Sequence, residues 1–401
     1  GRKIYRMTHS VKKALKQSLL PCSMFENMGF TYLGPVNGHD LPELTKTLRY
    51  AASLKEPVLL HVKTVKGKGF APAERNPDAF HGVSPFDPET GAPRKSGGEN
   101  FSRVFGRTLV RLARNDRRIC ALTAAMVGGT GLTAFAEAYP KRFFDVGIAE
   151  GCAASMAAGM AKQGAVPVFA VYSTFLQRSY DMLLHDIAID GLHVVLAVDR
   201  AGLVGDDGET HHGVFDVAYL NSVPGITVYS PSNFTELDRM LEAAVCRYTG
   251  PVAVRYPRGG QGSFQADAGD ASAVVLRHGT DITLAGYGME INDLLEAAAR
   301  LEEAGIQAEV VKWNIIETEL LIESVRKTGH LLVAEECVEQ GCVGVRALAA
   351  LEASGTAAKT ALVNCGTGYV PHGAVPILKK SLGLDGAGLF RRAMEVLGRE
   401  E

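Results

Sequence analysis

The sequence predicts an α/β protein with parallel sheets, in which a larger α/β domain is followed by a smaller one. From about residue 100 onward, short apolar segments of strand length alternate with segments of helical periodicity. Such alternation is typical of a parallel sheet that helices cover on both faces. Hydrophobic residues make up 46% and charged residues 21% of the 401 residues, which indicates a chain that buries an apolar core.

Two segments of loop-like composition divide the chain. The first, residues 76–100, is rich in proline and glycine, and the second, residues 259–272, is rich in glycine and aspartate. We therefore expect three parts, over residues 1–97, 98–262 and 275–401.

The middle part carries the clearest alternation. Its strands are expected over residues 119–126, 143–148, 166–172, 193–198, 227–229 and 252–256, and its helices over 101–114, 151–162, 176–189 and 234–247. In the last part, strands are expected over 282–285, 308–311, 331–334 and 361–363, with helices between them and a final helix near 389–397. Before the first divider, we expect a helix over 40–53 and a buried strand over 57–63.

Composition argues against several classes of protein. Lys and Arg number 42 against 44 Asp and Glu, so the net charge of −2 offers no strong field for nucleic acid or for an acidic membrane. No apolar run approaches the roughly 18–20 residues of a membrane-spanning helix. The seven cysteines are scattered without a C-x-x-C pair. Their spacing argues against a disulfide framework or a structural zinc site and favours a cytoplasmic protein.

The first 25 residues contain no Asp or Glu but several Lys and Arg. Acid-poor basic segments occur in transit peptides and in helices on membrane surfaces. They are also ordinary in a solvated helix or loop of a larger domain, and we adopt that interpretation. Because residue 1 is glycine rather than methionine, we expect a further N-terminal portion to precede it.

Reactive side chains follow the predicted strands of the middle part. Ligands of parallel sheets bind beyond the carboxyl ends of the strands, so a site is expected in these loops. Glu150 stands where a strand gives way to a helix of glycine and alanine, and the positive end of a helix dipole favours an ionised carboxylate there. The alternative is an ordinary acid in the first turn of a tightly packed helix.

An aromatic pair follows the next strand. Tyr172 and Phe175 lie three residues apart at a predicted strand-to-helix turn, where two rings can form a wall for a planar group. Alternatively, Ser173 or Thr174 caps the helix and Phe175 belongs to the core.

The loop after Asp199 is the richest in polar side chains. Arg200 can hold a phosphate or carboxylate through two hydrogen bonds, and His211 can carry a proton near neutral pH. A metal site formed by Asp207, His211 and His212 is an alternative, although adjacent histidines rarely point at one ion.

Two arginines, Arg255 and Arg258, end the last strand of the middle part. Their spacing before Gly259 predicts an anion clamp or, alternatively, a salt bridge at the domain edge. The chain contains no G-x-x-x-x-G-K-[ST], no G-x-S-x-G and no H-E-x-x-H. P-loop phosphoryl transfer, esterase chemistry and zinc proteolysis are therefore poor candidates.

Taken in order, these segments resemble the thiamine-diphosphate transketolase superfamily and, within it, the 1-deoxy-D-xylulose-5-phosphate synthase family. The similarity extends over essentially the whole chain. The end of that family's first domain is similar to residues 34–40 (GPVNGHD), 61–74 (HVKTVKGKGFAPAE) and 80–83 (FHGV). Its second domain is similar to residues 172–181 (YSTFLQRSYD), 199–205 (DRAGLVG), 210–216 (THHGVFD) and 255–259 (RYPRG).

The resemblance implies a fold and a reaction. Residues 1–97 are then the tail of a first, diphosphate-binding domain with its linker, 98–262 a pyrimidine-binding domain, and 275–401 the transketolase C-terminal domain. The implied reaction is the decarboxylative condensation of pyruvate with glyceraldehyde 3-phosphate to 1-deoxy-D-xylulose 5-phosphate, which feeds isoprenoid and thiamine synthesis. The implied cofactors are thiamine diphosphate and magnesium, and the implied assembly is a cytoplasmic homodimer.

The resemblance also implies roles for single residues. Glu150 is expected to hydrogen-bond the aminopyrimidine ring, and His81 and His211 are expected to act with it in catalysis. The residues expected around the cofactor are Phe70, Glu150, Tyr172 and Phe175. The residues expected around the substrates are Tyr172, Arg200, Asp207, His211 and Arg258.

The chain departs from the family pattern in four places, one of which is the lack of the upstream histidine expected near the substrate. The family's glycine-aspartate-glycine segment for magnesium and diphosphate is not found, so the metal ligands are expected in a missing N-terminal part or in a separate N-terminal chain. Phe70 replaces a tyrosine, and Gly151 and Cys152 stand where Gln or Glu followed by His is common. The alternatives are a transketolase, a pyruvate-dehydrogenase β-like subunit, or a non-catalytic paralogue that binds a partner subunit.

Overall fold

The computed structural model describes residues 23–77, 79–83, 85–94, 98–205, 207–316 and 318–399. The chain divides into two compact units, residues 1–97 and residues 98–401. The basic N-terminal segment falls mostly on residues 1–22, which lie outside the described residues. Within the described ranges, no helix combines the length and the apolar character needed to cross a bilayer.

The described residues of the first unit form two parallel strands with flanking helices. Its elements are α1 (Ser23–Asn27), β1 (Thr31–Asn37), α2 (Leu41–Ser53), β2 (Val58–Lys63) and α3 (Ala71–Arg75). Helix α2 begins where Asp40 accepts a hydrogen bond from the Glu43 amide at 3.0 Å, which satisfies a donor at the helix start. The helix and the strand predicted here are confirmed, but the burial expected of the strand is wrong: its first three residues are only partly buried and its last three are exposed. Strand β1 was not predicted, because Gly34 and Pro35 interrupt the strand pattern.

The second unit begins with a parallel sheet flanked by helices. Its elements are α4 (Phe101–Asn115), β3 (Ile119–Thr123), α5 (Thr133–Ala138), β4 (Phe143–Asp145), α6 (Glu150–Lys162), β5 (Val166–Tyr172), α7 (Ser173–Leu176), α8 (Tyr180–Met182), β6 (Val195–Asp199), α9 (Asp216–Leu220), β7 (Thr227–Tyr229), α10 (Phe234–Cys246) and β8 (Val252–Tyr256). Among the described residues, the six strands lie in the order β4-β3-β5-β6-β8-β7, and every neighbouring pair is parallel. The six predicted strands are confirmed.

The core of this sheet lies on both of its faces. Every residue of β3, β6 and β8 is buried, as expected for central parallel strands. On one face, the rings of Phe105 in α4 and Tyr256 in β8 stack with centroids 5.7 Å apart. On the other face, Ala153 and Ala157 of α6 pack in a separate apolar cluster. The helices therefore hold the strand ends, and the loops that follow them, on a rigid support.

One predicted helix is irregular. In place of a continuous helix over 176–189, α7 is followed by a 3₁₀ turn (Gln177–Ser179), by α8 and by a π-helical segment (Leu183–Ala188). The apolar periodicity of the three helix types is similar over so short a span, so the sequence pattern did not separate them. π-helical segments occur frequently at functional sites.

The last part of the second unit forms another sheet. Its elements are β9 (Ala273–Arg277), β10 (Ile282–Tyr287), α11 (Glu290–Glu303), β11 (Ala308–Trp313), α12 (Glu319–Thr328), β12 (His330–Ala334), α13 (Val343–Ala353), β13 (Lys359–Val363), α14 (Val375–Leu382) and α15 (Gly386–Leu397). The strand order is β13-β12-β10-β11-β9, with β9 antiparallel to β11. The four strands and the final helix predicted here are confirmed. Strand β9 was missed because it is a short edge strand directly after the glycine- and aspartate-rich segment.

A buried ion pair joins the two sheets of this unit. Lys312 Nζ in β11 lies 3.2 Å from Glu236 Oε2 in α10, and both side chains are 0% exposed. Burial lowers the pKa of Lys312, and the charge of Glu236 opposes that change. Nearby, the Ser230 amide donates to the Asn314 carbonyl at 3.0 Å. Polar contacts therefore lock the last sheet against the first.

Candidate functional site

Glu150 occupies the first position of α6, and its side chain is only 4% exposed. Arg178 Nη1, from the 3₁₀ turn, lies 2.5 Å from Glu150 Oε1 and supplies the counter-charge that a buried carboxylate needs. The two segments approach closely at the next residue, because a Cβ on Gly151 would stand 2.9 Å from Met182 Cε. The small residue after Glu150 thus permits the irregular helix to lie against the head of α6.

The aromatic pair lies beside this ion pair. Tyr172 ends β5 and Phe175 belongs to α7, and their rings stack with centroids 5.8 Å apart at 22°. The Arg178 guanidinium lies 4.8 Å from the centroid of the Phe175 ring. The ring of His211 meets Phe175 edge-on at 5.4 Å. The two rings form a partly buried wall between Glu150 and the loop that carries His211.

Arg200 lies over the outer ring of that wall. Its Cζ stands 3.7 Å from the Tyr172 centroid, a cation–π contact. Its Nη1 donates to the Gly129 carbonyl at 2.9 Å and to Asp199 Oδ1 at 3.0 Å. Arg200 has a φ of 62°, which is uncommon for a residue with a Cβ and is typical of strain held at functional sites.

Asp199 anchors Arg200 from inside the sheet. Its side chain is fully buried, and the Ser102 hydroxyl donates to Oδ2 at 2.6 Å. Burial raises the pKa of Asp199 to about 6, while the charge of Arg200 and the Ser102 hydrogen bond oppose the rise. Burial also raises the pKa of the Tyr172 phenol, again opposed by Arg200.

The loop after β6, residues 200–215, is called the site loop below; residue 206 lies outside the described residues. Asp207 Oδ2 accepts a hydrogen bond from Arg258 Nη1 at 2.9 Å, and both side chains are partly exposed. Arg258 Nη1 also reaches the Val204 carbonyl at 3.3 Å. Arg258 therefore lies against the site loop, with a guanidinium accessible to an anion.

The paired histidines face different surroundings. His211 is partly exposed, with Nδ1 2.8 Å from the Thr210 hydroxyl. His212 is buried: its Nδ1 accepts from the Val204 amide at 3.2 Å, and its Nε2 lies 3.2 Å from the Pro371 carbonyl. Because Nδ1 accepts, the proton is on Nε2, which donates to that carbonyl. Both ring nitrogens of His212 therefore form hydrogen bonds with backbone groups. This leaves neither of them for a metal ion shared with His211.

The two arginines of the predicted clamp separate in the same way. Arg255 is buried, with its guanidinium 2.9 Å and 3.2 Å from the carboxylate oxygens of Asp216 and 3.3 Å from the Ser230 hydroxyl. Arg255 therefore forms an ion pair with Asp216, as in the alternative interpretation, but the pair is buried and not an exposed salt bridge at the domain edge. Of the two arginines, Arg258 is the one whose guanidinium is partly exposed.

Two predicted site residues belong to the first unit. His81 is exposed, and its Nδ1 lies 3.1 Å from Lys66 Nζ. Phe70 packs in an aromatic cluster, with ring centroids 5.5 Å from Phe80 and 5.7 Å from Phe86. The other predicted site residues all lie in the second unit: Glu150, Tyr172, Phe175, Arg200, Asp207, His211 and Arg258.

Sequence reasoning did not single out three residues that build the site: Arg178, Asp199 and Gly129. Arg178 and Asp199 lie in segments that resemble the family, and this resemblance is the only feature of the sequence that points to them. No feature of the sequence points to Gly129. In the structure, however, a Cβ at this position would overlap the Tyr172 hydroxyl. The Gly129 carbonyl also accepts a hydrogen bond from Arg200. Gly129 therefore contributes to the site both through its backbone and through the lack of a side chain.

Three family models match the chain. The model described as 1-deoxy-D-xylulose-5-phosphate synthase matches residues 1–64, the transketolase pyrimidine-binding domain matches residues 99–261, and the transketolase C-terminal domain matches residues 271–389. The protein of Heliobacterium modesticaldum named 1-deoxy-D-xylulose-5-phosphate synthase is 44% identical over 405 residues, which cover 99% of this chain. The chain belongs to the 1-deoxy-D-xylulose-5-phosphate synthase family. The resemblance read from the sequence motifs is confirmed.

The chain spans about three fifths of the length of the curated relatives it matches. The match covers 62% of the Heliobacterium modesticaldum protein. A relative from Geobacter sulfurreducens, named 1-deoxy-D-xylulose-5-phosphate synthase 1, is 43% identical over 400 residues, which cover 97% of this chain and 63% of that protein.

Solved structures share the fold. A structure titled "Split gene transketolase, inactive beta4 tetramer" is 28% identical with a TM-score of 0.67, covering 76% of this chain and 100% of that chain. A transketolase from Campylobacter jejuni is 17% identical with a TM-score of 0.64, covering 93% of this chain and 68% of that one. The predicted fold, a transketolase-like pyrimidine domain followed by a smaller α/β domain, is confirmed.

Proposed function

We propose that this chain carries the pyrimidine-binding and phosphate-binding parts of a transferase that condenses pyruvate with glyceraldehyde 3-phosphate. Carbon dioxide leaves, and 1-deoxy-D-xylulose 5-phosphate is formed, a precursor for isoprenoid and thiamine synthesis. The observation that carries the proposal is an unbroken series of contacts from Glu150 through Arg178, Phe175 and Tyr172 to Arg200. The names of the curated relatives support the same reaction.

The residues of the second unit suit the pyrimidine ring of thiamine diphosphate. A buried carboxylate at a helix start can accept a hydrogen bond from a ring nitrogen, and the Tyr172–Phe175 wall can stack on a flat heterocycle. The hydroxyl of Ser173, the residue after Tyr172, is buried without a hydrogen-bond partner and is one further polar group at this end of β5. When bound, thiamine diphosphate supplies an electron sink for the carbon–carbon bond that breaks on decarboxylation.

Glu150 is proposed to keep the bound ring in the tautomer that can give up and receive a proton. Arg178 keeps the counter-charge of Glu150 in place, and the wall of Tyr172 and Phe175 excludes water from the ring face. Phe70 and His81 of the first unit are proposed as a cofactor contact and as a catalytic histidine, on the resemblance alone.

Arg258 and Arg200 are proposed to hold the phosphate of the aldehyde substrate. The guanidinium of Arg258 is accessible, and its several N–H donors suit a phosphate. A bound phosphate would share these donors with Asp207, the present partner of Arg258. Arg200 is held in one orientation by Asp199 and Gly129, so its charge is preorganised beside Tyr172. His211, whose ring meets the edge of Phe175, is proposed to carry a proton at the substrate end of the wall.

The remaining parts of the proposal concern domains and partners. We propose the division into residues 1–97, 98–262 and 275–401, which the ranges of the family models support. Magnesium is proposed to be held by a diphosphate-binding part in the same polypeptide or in a separate chain. The split-gene transketolase with 28% identity supports a two-chain arrangement. A homodimer in the cytoplasm is proposed on family resemblance.

The test joins this chain to the portions of the Heliobacterium modesticaldum relative that it does not match. Turnover of pyruvate with glyceraldehyde 3-phosphate is followed with thiamine diphosphate and magnesium present. We expect Glu150→Gln to lower kcat by about a thousandfold or more, because the hydrogen bond to the ring is lost at the step that makes the cofactor reactive. The matched control is Glu137→Gln, which changes an exposed glutamate on α5 and leaves turnover unaltered.

The other candidate functions give different results in this assay. A transketolase uses a ketose phosphate in place of pyruvate, and a pyruvate-dehydrogenase β-like subunit passes the two-carbon unit to a lipoyl group. A non-catalytic paralogue, which Gly151 and Cys152 suggest, gives no turnover with any donor. Turnover of the Glu150→Gln variant within tenfold of the parent would contradict the role of Glu150.

A further inference from the structure

A carboxylate of the C-terminal domain contacts the site loop near its start. Glu336 follows β12, is 9% exposed, and its Oε2 accepts a hydrogen bond from the Leu203 amide at 2.7 Å. Leu203 lies between Arg200 and Asp207 in the site loop. This bond therefore fixes the backbone that connects the two proposed phosphate-site residues.

The other oxygen of this carboxylate is held by Lys379. The Lys379 ammonium lies 3.0 Å from Glu336 Oε1, and it also contacts Glu290 Oε1 at 2.5 Å and Asp293 Oδ2 at 2.7 Å. Burial alone would raise the pKa of Glu336, but Lys379 and the Leu203 amide together hold it below its usual value. Glu336 is thus an ionised buried acceptor with both oxygens engaged.

The site loop packs closely against the Glu336 carboxylate. Gly202 has a φ of 78°, and a Cβ there would overlap the Glu336 carboxylate. Two residues beyond Glu336, the Val338 amide donates to the Val214 carbonyl at 3.0 Å, at the far end of the loop. Two residues before Val214, His212 donates to the Pro371 carbonyl. Segments of the C-terminal domain therefore hold the loop near its start and near its end.

We propose that Glu336 is a positioning residue, which by holding the Leu203 amide sets the places of Arg200 and Asp207 and so the affinity of the site for a phosphate group. The phosphate part rests on the proposed function, whereas the hold on the loop does not. Glu336 touches no substrate in this proposal. The C-terminal domain thereby shapes a site whose side chains all come from other parts of the chain.

Glu335, the residue before it, provides a matched control. It is also a buried carboxylate, but it accepts from the Tyr287 hydroxyl at 2.8 Å and from the Val343 and Gly344 amides at 3.0 Å and 2.8 Å. All three donors belong to the C-terminal domain. Glu335→Gln therefore disturbs that domain to a comparable degree without a direct contact to the site loop.

The experiment compares amide hydrogen exchange of the 401-residue chain with that of Glu336→Gln and Glu335→Gln. A glutamine offers one acceptor where Leu203 and Lys379 need two, so we expect exchange over residues 201–205 to rise about tenfold in Glu336→Gln. In Glu335→Gln we expect the increase at 343–346 and none at 201–205. Glu336→Asp, measured beside them, keeps the charge near Lys379 but withdraws the oxygen from Leu203, and is expected to match Glu336→Gln.

The second readout is binding of inorganic phosphate by titration calorimetry. We expect Glu336→Gln to raise the Kd for phosphate at least about fivefold and Glu335→Gln to leave it unchanged. Equal exchange at 201–205 in the two glutamine variants, or loosened exchange with an unaltered Kd, would overturn the positioning role. If the parent chain binds no phosphate, the proposed phosphate site fails, and the exchange data alone still decide whether Glu336 holds the loop.

Discussion

The guanidinium of Arg178 and the carboxylate of Glu150 form an ion pair that fastens the irregular helix to the head of α6. The side chain of Glu150 is almost wholly buried, whereas that of Arg178 is about half exposed. The pair thus supplies a buried acid with its counter-charge from a residue that solvent still reaches. Its energy is accordingly intermediate between that of a surface pair and that of a buried one.

Removing Arg178 should destabilise the protein mainly through the charge that it leaves behind. We expect Arg178→Leu to lower the free energy of unfolding in urea at pH 7 by about 1–2 kcal/mol. Combined with Glu150→Gln, it should cost less than the sum of the single changes, because the stranded carboxylate is then neutral. Lys162→Met, which breaks the exposed pair with Asp190, is the control and should cost at most about 0.5 kcal/mol. Additive losses for Arg178 and Glu150 would contradict the coupling.

Arg258 should matter for phosphate and little for folding. We expect Arg258→Ala to weaken binding of inorganic phosphate about tenfold by calorimetry, since one charged hydrogen-bonding partner is lost. Arg118→Ala removes another exposed arginine with a carboxylate partner, Asp116, before the start of β3, and should leave phosphate binding unchanged. By contrast, Arg255→Met should lower stability by about 3–5 kcal/mol because it strands the buried Asp216. Equal loss of phosphate affinity in Arg118→Ala and Arg258→Ala would remove Arg258 from the site.

Gly129 should accept no side chain while Tyr172 keeps its hydroxyl. We expect Gly129→Ala to lower the unfolding free energy by about 1–3 kcal/mol and to weaken phosphate binding by displacing Arg200. Tyr172→Phe in the same chain should recover part of both losses, because it removes the atom that the new Cβ meets. Gly159→Ala, in α6 where a Cβ meets nothing within 4 Å, is the control and should be neutral or stabilising. Failure of Tyr172→Phe to rescue would show that the overlap is relieved elsewhere.

The buried carboxyl of Asp199 should make stability fall as pH rises from about 4 to about 6. Its pKa in the folded protein is about 6, above that of an exposed aspartate, so the folded state retains a proton that the unfolded chain has released. Between about pH 4 and pH 6 we expect ionisation of Asp199 to lower the free energy of unfolding by about 2–3 kcal/mol. Asp199→Asn should remove that component, seen as a change of slope in unfolding free energy against pH. An unchanged slope in Asp199→Asn would contradict the raised pKa.

Much of this architecture is predictable from the sequence because it depends on local pattern. The strands of the second unit are continuous apolar runs, and the loops after parallel strands share one edge, which led to Glu150, Tyr172 and Arg258. What the pattern does not contain is contact between distant segments. Ser102 meets Asp199 across 97 residues, and only the fold distinguishes buried Arg255 from accessible Arg258. The irregularity of the helical segment over residues 176–189 was not predicted for a different reason: its apolar residues have the spacing of an ordinary α-helix.

The buried pair of Lys312 and Glu236 restricts how this protein can be recombined with its relatives. A hybrid that takes its C-terminal sheet from a protein with an apolar side chain at position 312 inherits an uncompensated anion in a dry interior, at a cost of several kcal/mol. Grafts that transfer both residues together avoid that cost. The two sheets are therefore expected to be exchanged among homologues as a single inherited block.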